Sequence, residues 1–253
     1  MDLKLNVNGF IYEASFTERE MKEIFIPLLK KFTKLRKNLN RRVIVFLAAP
    51  PAAGKSTLSI FLEKLSGEVK GIIPIQSLSL DGFHYPNVYL KKNKTIFQGK
   101  EHYLYEIKGM PETFDLQKFK EYLQKVKTQN IKWPIYDRNL HDVVMDQVLV
   151  REEVVLIEGN WLLLDEEGWR DLRELCDYSI FIYSYENVLM DRLIQRKVRG
   201  GLSHDEAVKF YERSDGKNIH RVLNHRLKAD LELMMLETGE KIKIKEDSNG
   251  KVK

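Results

Sequence analysis

VIVFLAAPPAAGKST, residues 43–57, begins as an unbroken apolar run and ends in Gly54-Lys55-Ser56-Thr57. An apolar run without alternation is the mark of a strand buried on both faces, as in a parallel sheet. The residues after it read as a loop passing straight into a helix. Such a junction points backbone N–H groups and a helix N-terminus at phosphate oxygens. The lysine then neutralises the terminal phosphates and the next hydroxyl holds Mg²⁺. Pro50 and Pro51 remove two donors. They fall early, and Ala52, Ala53, Gly54, Lys55, Ser56 and Thr57 all keep theirs. Ala49 stands where the motif has its first glycine, which costs conformational freedom but no donor. The stretch predicts a working phosphate-binding loop.

Outward from this loop the chain alternates strands with helices. Apolar runs at 72–80, 154–157 and 178–183 are separated by helix-like segments at 115–127, 166–175 and 186–198. Strands alternating with helices imply βαβ units and a parallel sheet. Residues 229–235 and 241–245 flank a turn at 237–240 and read as a closing hairpin. Before the loop, residues 3–16 alternate around Asn8-Gly9, a hairpin signal. Thr17 and Glu20 form a capping box. Met21, Ile24, Phe25, Leu28, Leu29, Phe32 and Leu35 then trace a helical stripe that Pro27 should kink. The expected fold is α/β: a three-layer sandwich about a mainly parallel sheet, with residues 1–40 a hairpin-and-helix extension and residues 41–253 the main domain. Residues 247–253 read as a frayed tail.

The 253 residues are 43% hydrophobic and 31% charged, an ordinary globular balance able to bury a core. One cysteine, Cys176, excludes an internal disulfide and suits a reducing compartment. The N-terminus carries no basic region followed by an apolar run, and the longest apolar stretch is too short to span a bilayer. The expectation is a cytoplasmic protein with no membrane partner. A net charge of +5 comes from scattered lysines nearly matched by acids, so no nucleic-acid partner is expected. The histidines lack the spacing and companions of a transition-metal site, which leaves oxygen-bound Mg²⁺ as the implied metal.

The loop alone serves ATPases, GTPases and kinases. A GTPase needs an Asn-Lys-x-Asp base reader, and the nearest string, residues 93–96, lacks the aspartate. Two further apolar runs end in acids. LDGFHYPN, residues 80–87, places Asp81 at the carboxyl end of a strand, where open α/β sheets bind ligands. A carboxylate there can accept a hydroxyl's proton as that oxygen bonds to phosphorus. VVLIEGN, residues 154–160, places Glu158 similarly. Arg192, Arg196 and Arg199 recur three and four apart and share one helical face, and planar guanidinium forks suit phosphate oxygens.

As a set, AAGKST, LDGFHYPN, the YDRNLHD of residues 136–142 and LIEGNW resemble the kinases grouped with uridine kinase, phosphoribulokinase and pantothenate kinase, over residues 43–235. DGFHYPN and EGNWLLLDEEGW are most similar to a bacterial nucleoside- or sugar-kinase-like branch. The resemblance implies a P-loop kinase that uses ATP and Mg²⁺ to phosphorylate a hydroxyl of a small metabolite. It implies that Lys55 bridges the β- and γ-phosphates, Ser56 binds Mg²⁺ and Thr57 holds the α-phosphate. Asp81 would be the general base and a metal contact, and Glu158 the acid at the metal shell or the acceptor. His84, Tyr136 and Arg138 would line the acceptor pocket, with Asp142 beside them. Arg192, Arg196 and Arg199 would belong to a lid over residues 192–218, hinged at Gly200-Gly201, with 214–218 a loop near the nucleotide. The competing reading is an ATP-dependent switch without a small acceptor, and the unmatched extension leaves a homodimer open.

Overall fold

The computed structural model describes residues 2–7, 10–97 and 99–246. Strands β1 (Asp2–Val7) and β2 (Phe10–Ser15) pair antiparallel as the alternation predicts; their Asn8-Gly9 turn and the 247–253 tail lie outside the described residues. Strand β3 (Val43–Ala48) enters the phosphate loop, and β4 (Ile75–Ser79) follows the helix Lys55–Glu68. Two antiparallel hairpins come next, β5 (Lys94–Phe97) with β6 (Lys100–Tyr103), and β7 (Lys132–Asp137) with β8 (Asp142–Leu149). Neither hairpin has a counterpart among the expected elements. Strands β9 (Val154–Gly159), β10 (Tyr178–Tyr183), β11 (Leu231–Met235) and β12 (Lys241–Glu246) complete the set.

The central sheet runs β12-β11-β10-β3-β9-β4, parallel throughout except for the β11–β12 hairpin at one edge. Strand β3 shows why its sequence does not alternate. Val43, Val45 and Leu47 pack with Phe25, Leu29 and Phe32 of the N-terminal helix and with Leu58, Phe61 and Leu62 of the phosphate-loop helix. Ile44, Phe46 and Ala48 face the other way, onto Phe119, Leu123, Trp133 and Trp161. Successive side chains point to opposite faces, and here both faces are covered. The helix following the first hairpin thus shares the core of one sheet face.

Three expectations about helices change. Pro27 sits at the start of the helix Ile26–Leu39, directly after a π turn over Met21–Phe25. Proline lacks an N–H and its ring crowds the carbonyl four residues back; widening the preceding turn to i→i+5 bonding takes up that conflict. The helix expected over 166–175 shrinks to a 3-10 turn, Arg170–Glu174, because Gly168 takes φ +77°. The expected loop at 214–218 is helical. A π turn over Tyr211–Asp215 leads into the helix Gly216–Asn224, so the helical segment that holds the residues expected in a lid runs from Glu186–Arg199 through His204–Phe210 to Asn224.

Candidate active site

The loop after β3 explains its own prolines. Ala53 donates its N–H to the Pro50 carbonyl at 3.3 Å, closing a four-residue turn over 50–53. Ala52, third in that turn, has φ +65°. Proline second and a positive φ third is the pattern of a type II turn. Ala49, the apparent departure from the motif, is fully buried and has no positive φ, so no glycine is required there. The strain falls on Ala52 instead, where a left-handed residue with a Cβ costs about 1–2 kcal/mol. Gly54 (φ +76°) then caps the helix, and its carbonyl accepts the Leu58 N–H at 2.9 Å. The N–H groups of the first helical turn have no carbonyl of their own helix to meet. Those of Lys55, Ser56 and Thr57 are in that position. Ala53 spends its donor inside the turn.

Strand register sets the acids. Glu158 on β9 pairs with Leu47 on β3 and with Ser79 on β4, so the three strand ends lie side by side. The Ser56 hydroxyl donates to Glu158 Oε1 at 2.9 Å, and Lys55 Nζ stands 3.9 Å from Glu158 Oε2. Burial pushes the Glu158 carboxyl above its ordinary value and the nearby Asp81 charge adds to this, while Lys55, Ser56 and Ser79 pull it back. The chain after β4 turns sharply through a 3-10 segment, Leu80–Phe83, with the Ser79 hydroxyl accepting from the Asp81 N–H at 3.1 Å. Gly82 permits that turn to press against β7: a Cβ there would sit 2.2 Å from the Pro134 carbonyl oxygen. Asp81 is half-buried, and its carboxylate carries no hydrogen bond or ion pair among the described residues.

Around Asp81 lies the expected acceptor side. The His84 ring is buried, 3.8 Å from the Phe114 ring and 5.5 Å from Tyr136 between centroids, with Nδ1 2.9 Å from the Asp81 carbonyl. Burial, above all, pulls its pKa down, against the opposing pull of Asp81. Burial likewise raises the Tyr136 phenol. Arg138 is exposed on the β7–β8 hairpin, and Asp142 Oδ1 accepts from the Asn87 N–H at 3.0 Å. Nothing in the sequence points to Lys108, whose Nζ donates to Asn87 Oδ1 at 2.6 Å and to the His141 carbonyl at 2.9 Å while lying 4.7 Å from the Tyr136 ring centre. An isolated lysine before a glycine carries no spacing signal.

The lid arginines are brought together with one another, not with the acids. Half-buried Arg192 donates to Met235 Sδ at 3.3 Å, and burial, then the charge of Arg199, lowers its pKa. Arg196 and Arg199 are exposed. Among the described residues no hydrogen bond or ion pair joins any of the three to Lys55, Asp81 or Glu158. A cavity of about 650 Å³, lined by Phe97, Glu166, Tyr211, Lys217, His220 and Arg221 among others, takes in Lys217 of the 214–218 segment but none of the residues predicted for catalysis, phosphate binding or the acceptor.

The Phosphoribulokinase / Uridine kinase family matches residues 44–238. The chain belongs to that family. It is a P-loop kinase built on a mainly parallel central sheet. Protein YggC of Escherichia coli (strain K12), described as uncharacterised, is 42% identical over 240 residues, which cover 94% of this chain and 98% of that one. A "putative uridine kinase" of Schizosaccharomyces pombe is 29% identical over 203 residues, 78% of this chain and 84% of that one. Among solved structures, a "putative fructose transport system kinase" from Silicibacter sp. TM1040 superposes with a TM-score of 0.68 at 34% identity, covering 79% of this chain and 98% of that one. Among the described residues no helix is long and apolar enough to cross a membrane.

Proposed function

We propose that this kinase transfers the γ-phosphoryl group of Mg·ATP to a hydroxyl of a small metabolite, a nucleoside or a sugar, with Asp81 as general base. The observation that carries the reading is a half-buried carboxylate without a hydrogen-bond or ion-pair partner among the described residues, just past the end of the strand next to the one that presents Glu158 to Lys55 and Ser56. The acceptor oxygen attacks the γ-phosphorus as the bond to the β–γ bridging oxygen breaks. Its proton passes to Asp81, and ADP leaves. Lys55 and the N–H groups of the first helical turn hold the phosphates in place. Catalysis is then mostly positioning and charge stabilisation.

Ser56, Glu158 and Asp81 would hold Mg²⁺, and an all-oxygen donor set suits that cation. Bound there, the ion would neutralise charge on the β- and γ-phosphate oxygens. The expected lid role for Arg192, Arg196 and Arg199 is to meet the charge of the transferring group on closure.

Transfer of labelled γ-phosphate to a panel of nucleosides and sugars, with Asp81→Asn alongside, tests the reading. Label on one acceptor, lost in the variant, supports it. Label released only as free phosphate, at the same rate in the variant, refutes it and leaves a nucleotide-dependent switch.

A further inference from the structure

Arg221 joins three parts of the molecule that chain order keeps apart. It lies on the helix Gly216–Asn224, which ends the helical segment carrying the residues expected in a lid. Its Nε donates to Glu166 Oε1 at 2.8 Å and its Nη2 reaches Glu166 Oε2. The same Nη2 donates to Glu112 Oε1 at 2.8 Å. All three side chains are largely buried, 19 to 29% exposed.

Each carboxylate stands behind one of the two strand-end acids. Glu112 sits in the 3-10 turn Pro111–Thr113, and the residues after it are laced to those just beyond Asp81. Tyr85 donates its N–H to the Thr113 carbonyl at 2.9 Å, Asp115 donates to the Phe83 carbonyl at 2.7 Å, and Phe114 bridges His84 between them. Glu166 follows Glu158 by way of the buried run 161–164. From that run the Trp161 indole donates to the Gly109 carbonyl at 3.0 Å, and its ring lies 5.8 Å from the Arg221 guanidinium.

The local folds at either end have bonds of their own. The Thr113 hydroxyl donates to the Met110 carbonyl at 2.7 Å and accepts from the Gly109 N–H at 3.1 Å. The Glu166 loop is held to the end of the helix by Asp165 N–H to the His225 carbonyl, 3.0 Å, and Leu227 N–H to the Leu163 carbonyl, 2.8 Å. What Arg221 adds is a charged tie from the helix to the turn behind Asp81. As a stabiliser the cluster is poorly made. One cation faces two carboxylates, and Arg221 Nη1 and Glu112 Oε2 are buried with no hydrogen-bond partner among the described residues. A buried ion cluster is weak evidence for stability, and fixing a register is its best-attested use.

We infer that Arg221 is a positioning residue: its planar fork holds Glu112 and Glu166 together and so sets the Asp81 segment against the Glu158 segment. The inference rests on the phosphotransfer reading and adds to it a residue that touches neither nucleotide nor acceptor.

Hydrogen exchange and transfer kinetics test it on the unmodified protein, Arg221→Met, Arg221→Lys, Glu112→Gln and the double variant of Arg221→Met with Glu112→Gln. In Arg221→Met, exchange at the Tyr85 and Asp115 amides should quicken while that of β3 is unchanged. For the nucleoside or sugar of the panel that takes label, kcat should fall about 10- to 100-fold, the cost of a small misplacement, with KM for ATP held. Arg221→Lys keeps the charge without the fork, so it should recover the melting temperature but not kcat. Glu112→Gln keeps the shape of its side chain and reads the link even where Arg221→Met folds poorly. In its background, losing Arg221 should cost much less than in the unmodified protein. Exchange that quickens equally throughout, a kcat that tracks the melting temperature, or effects of the two substitutions that simply multiply would each reduce Arg221 to a structural bridge and overturn the inference. Transfer abolished by Asp81→Asn yet unmoved by Arg221→Met overturns it too and leaves the kinase reading standing. Free phosphate alone, unaffected by Asp81→Asn, overturns the phosphotransfer reading and this inference with it.

Discussion

The two walls of the proposed site are built on opposite plans. On the sheet side, Lys55, Ser56, Asp81 and Glu158 hang from three adjacent strand ends and a helix start, and strand register fixes their spacing. On the lid side, Arg196 and Arg199 are exposed near the end of a helix that runs out at Gly200-Gly201, and the connection back to β11 passes through a π turn. Here the charges are poorly settled. The Asp215 Oδ2 atom is buried with no hydrogen-bond partner among the described residues, and burial raises the carboxyl's pKa while Lys197 and Arg196 pull it down. Lys197 itself lies over the Phe210 ring at 3.4 Å. Lys55, Ser56 and Glu158, in contact with one another, hold position on the sheet side, whereas a helix end with unsatisfied charges has several arrangements of similar energy. The first suits ground-state binding and the second suits a part that closes.

The strongest break in this comparison is Asp81→Asn. A general base contributes about 10²–10⁴-fold, so transfer should fall by that factor while ATP affinity, measured by calorimetry, holds. Next comes Gly82→Ala. The added Cβ would meet backbone at 2.2 Å, so this variant should lose about 2–3 kcal/mol in urea unfolding, far more than any lid substitution. Arg196→Ala should lower kcat about 10- to 100-fold with little effect on the melting temperature, since charge stabilisation in the transition state is worth a few kcal/mol. A fall in the melting temperature comparable to that of Gly82→Ala would show that the lid is as firmly built as the sheet. Ala52→Gly should stabilise the protein by about 1 kcal/mol, because it relieves the one left-handed alanine of the loop. The smallest effect concerns Cys176, whose thiol is buried and pushed up to about 12. A disulfide reagent at pH 8 should label it in the unfolded protein and scarcely at all in the native one.

Legibility in the sequence divides along the same line. Strand β3, the loop after it and the placement of Asp81 and Glu158 beside that loop are legible because buried parallel strands leave unbroken apolar runs, and both acids stand at the ends of such runs. The Thr17–Glu20 capping box is legible for a local reason: both halves lie within one turn, and both bonds form. The hairpins β5–β6 and β7–β8 are not, since their strands are partly exposed and rich in lysine and glutamate or interrupted by Pro134. Lys108 is invisible because its meaning arises from Asn87, Tyr136 and His141, which only the fold brings to it. From sequence the loop prolines count as tolerated losses of donors, whereas in the structure they shape the turn that puts Ala52 in a left-handed conformation.

Glu20 has a second role beyond the cap. One of its oxygens accepts the Lys241 N–H at 2.9 Å across 221 residues of chain, and both residues are almost wholly buried. A contact of such sequence separation carries a large loop-closure cost before it stabilises anything. During synthesis the helix around Glu20 emerges 221 residues ahead of its partner. Until β12 is made, Glu20 Oε1 and the face of Phe16 above which Lys241 settles lack that one partner. Completion of the contact between the N-terminal helix and the sheet edge is therefore a late folding event, and a nascent chain stalled before residue 241 would hold that helix by its apolar face alone.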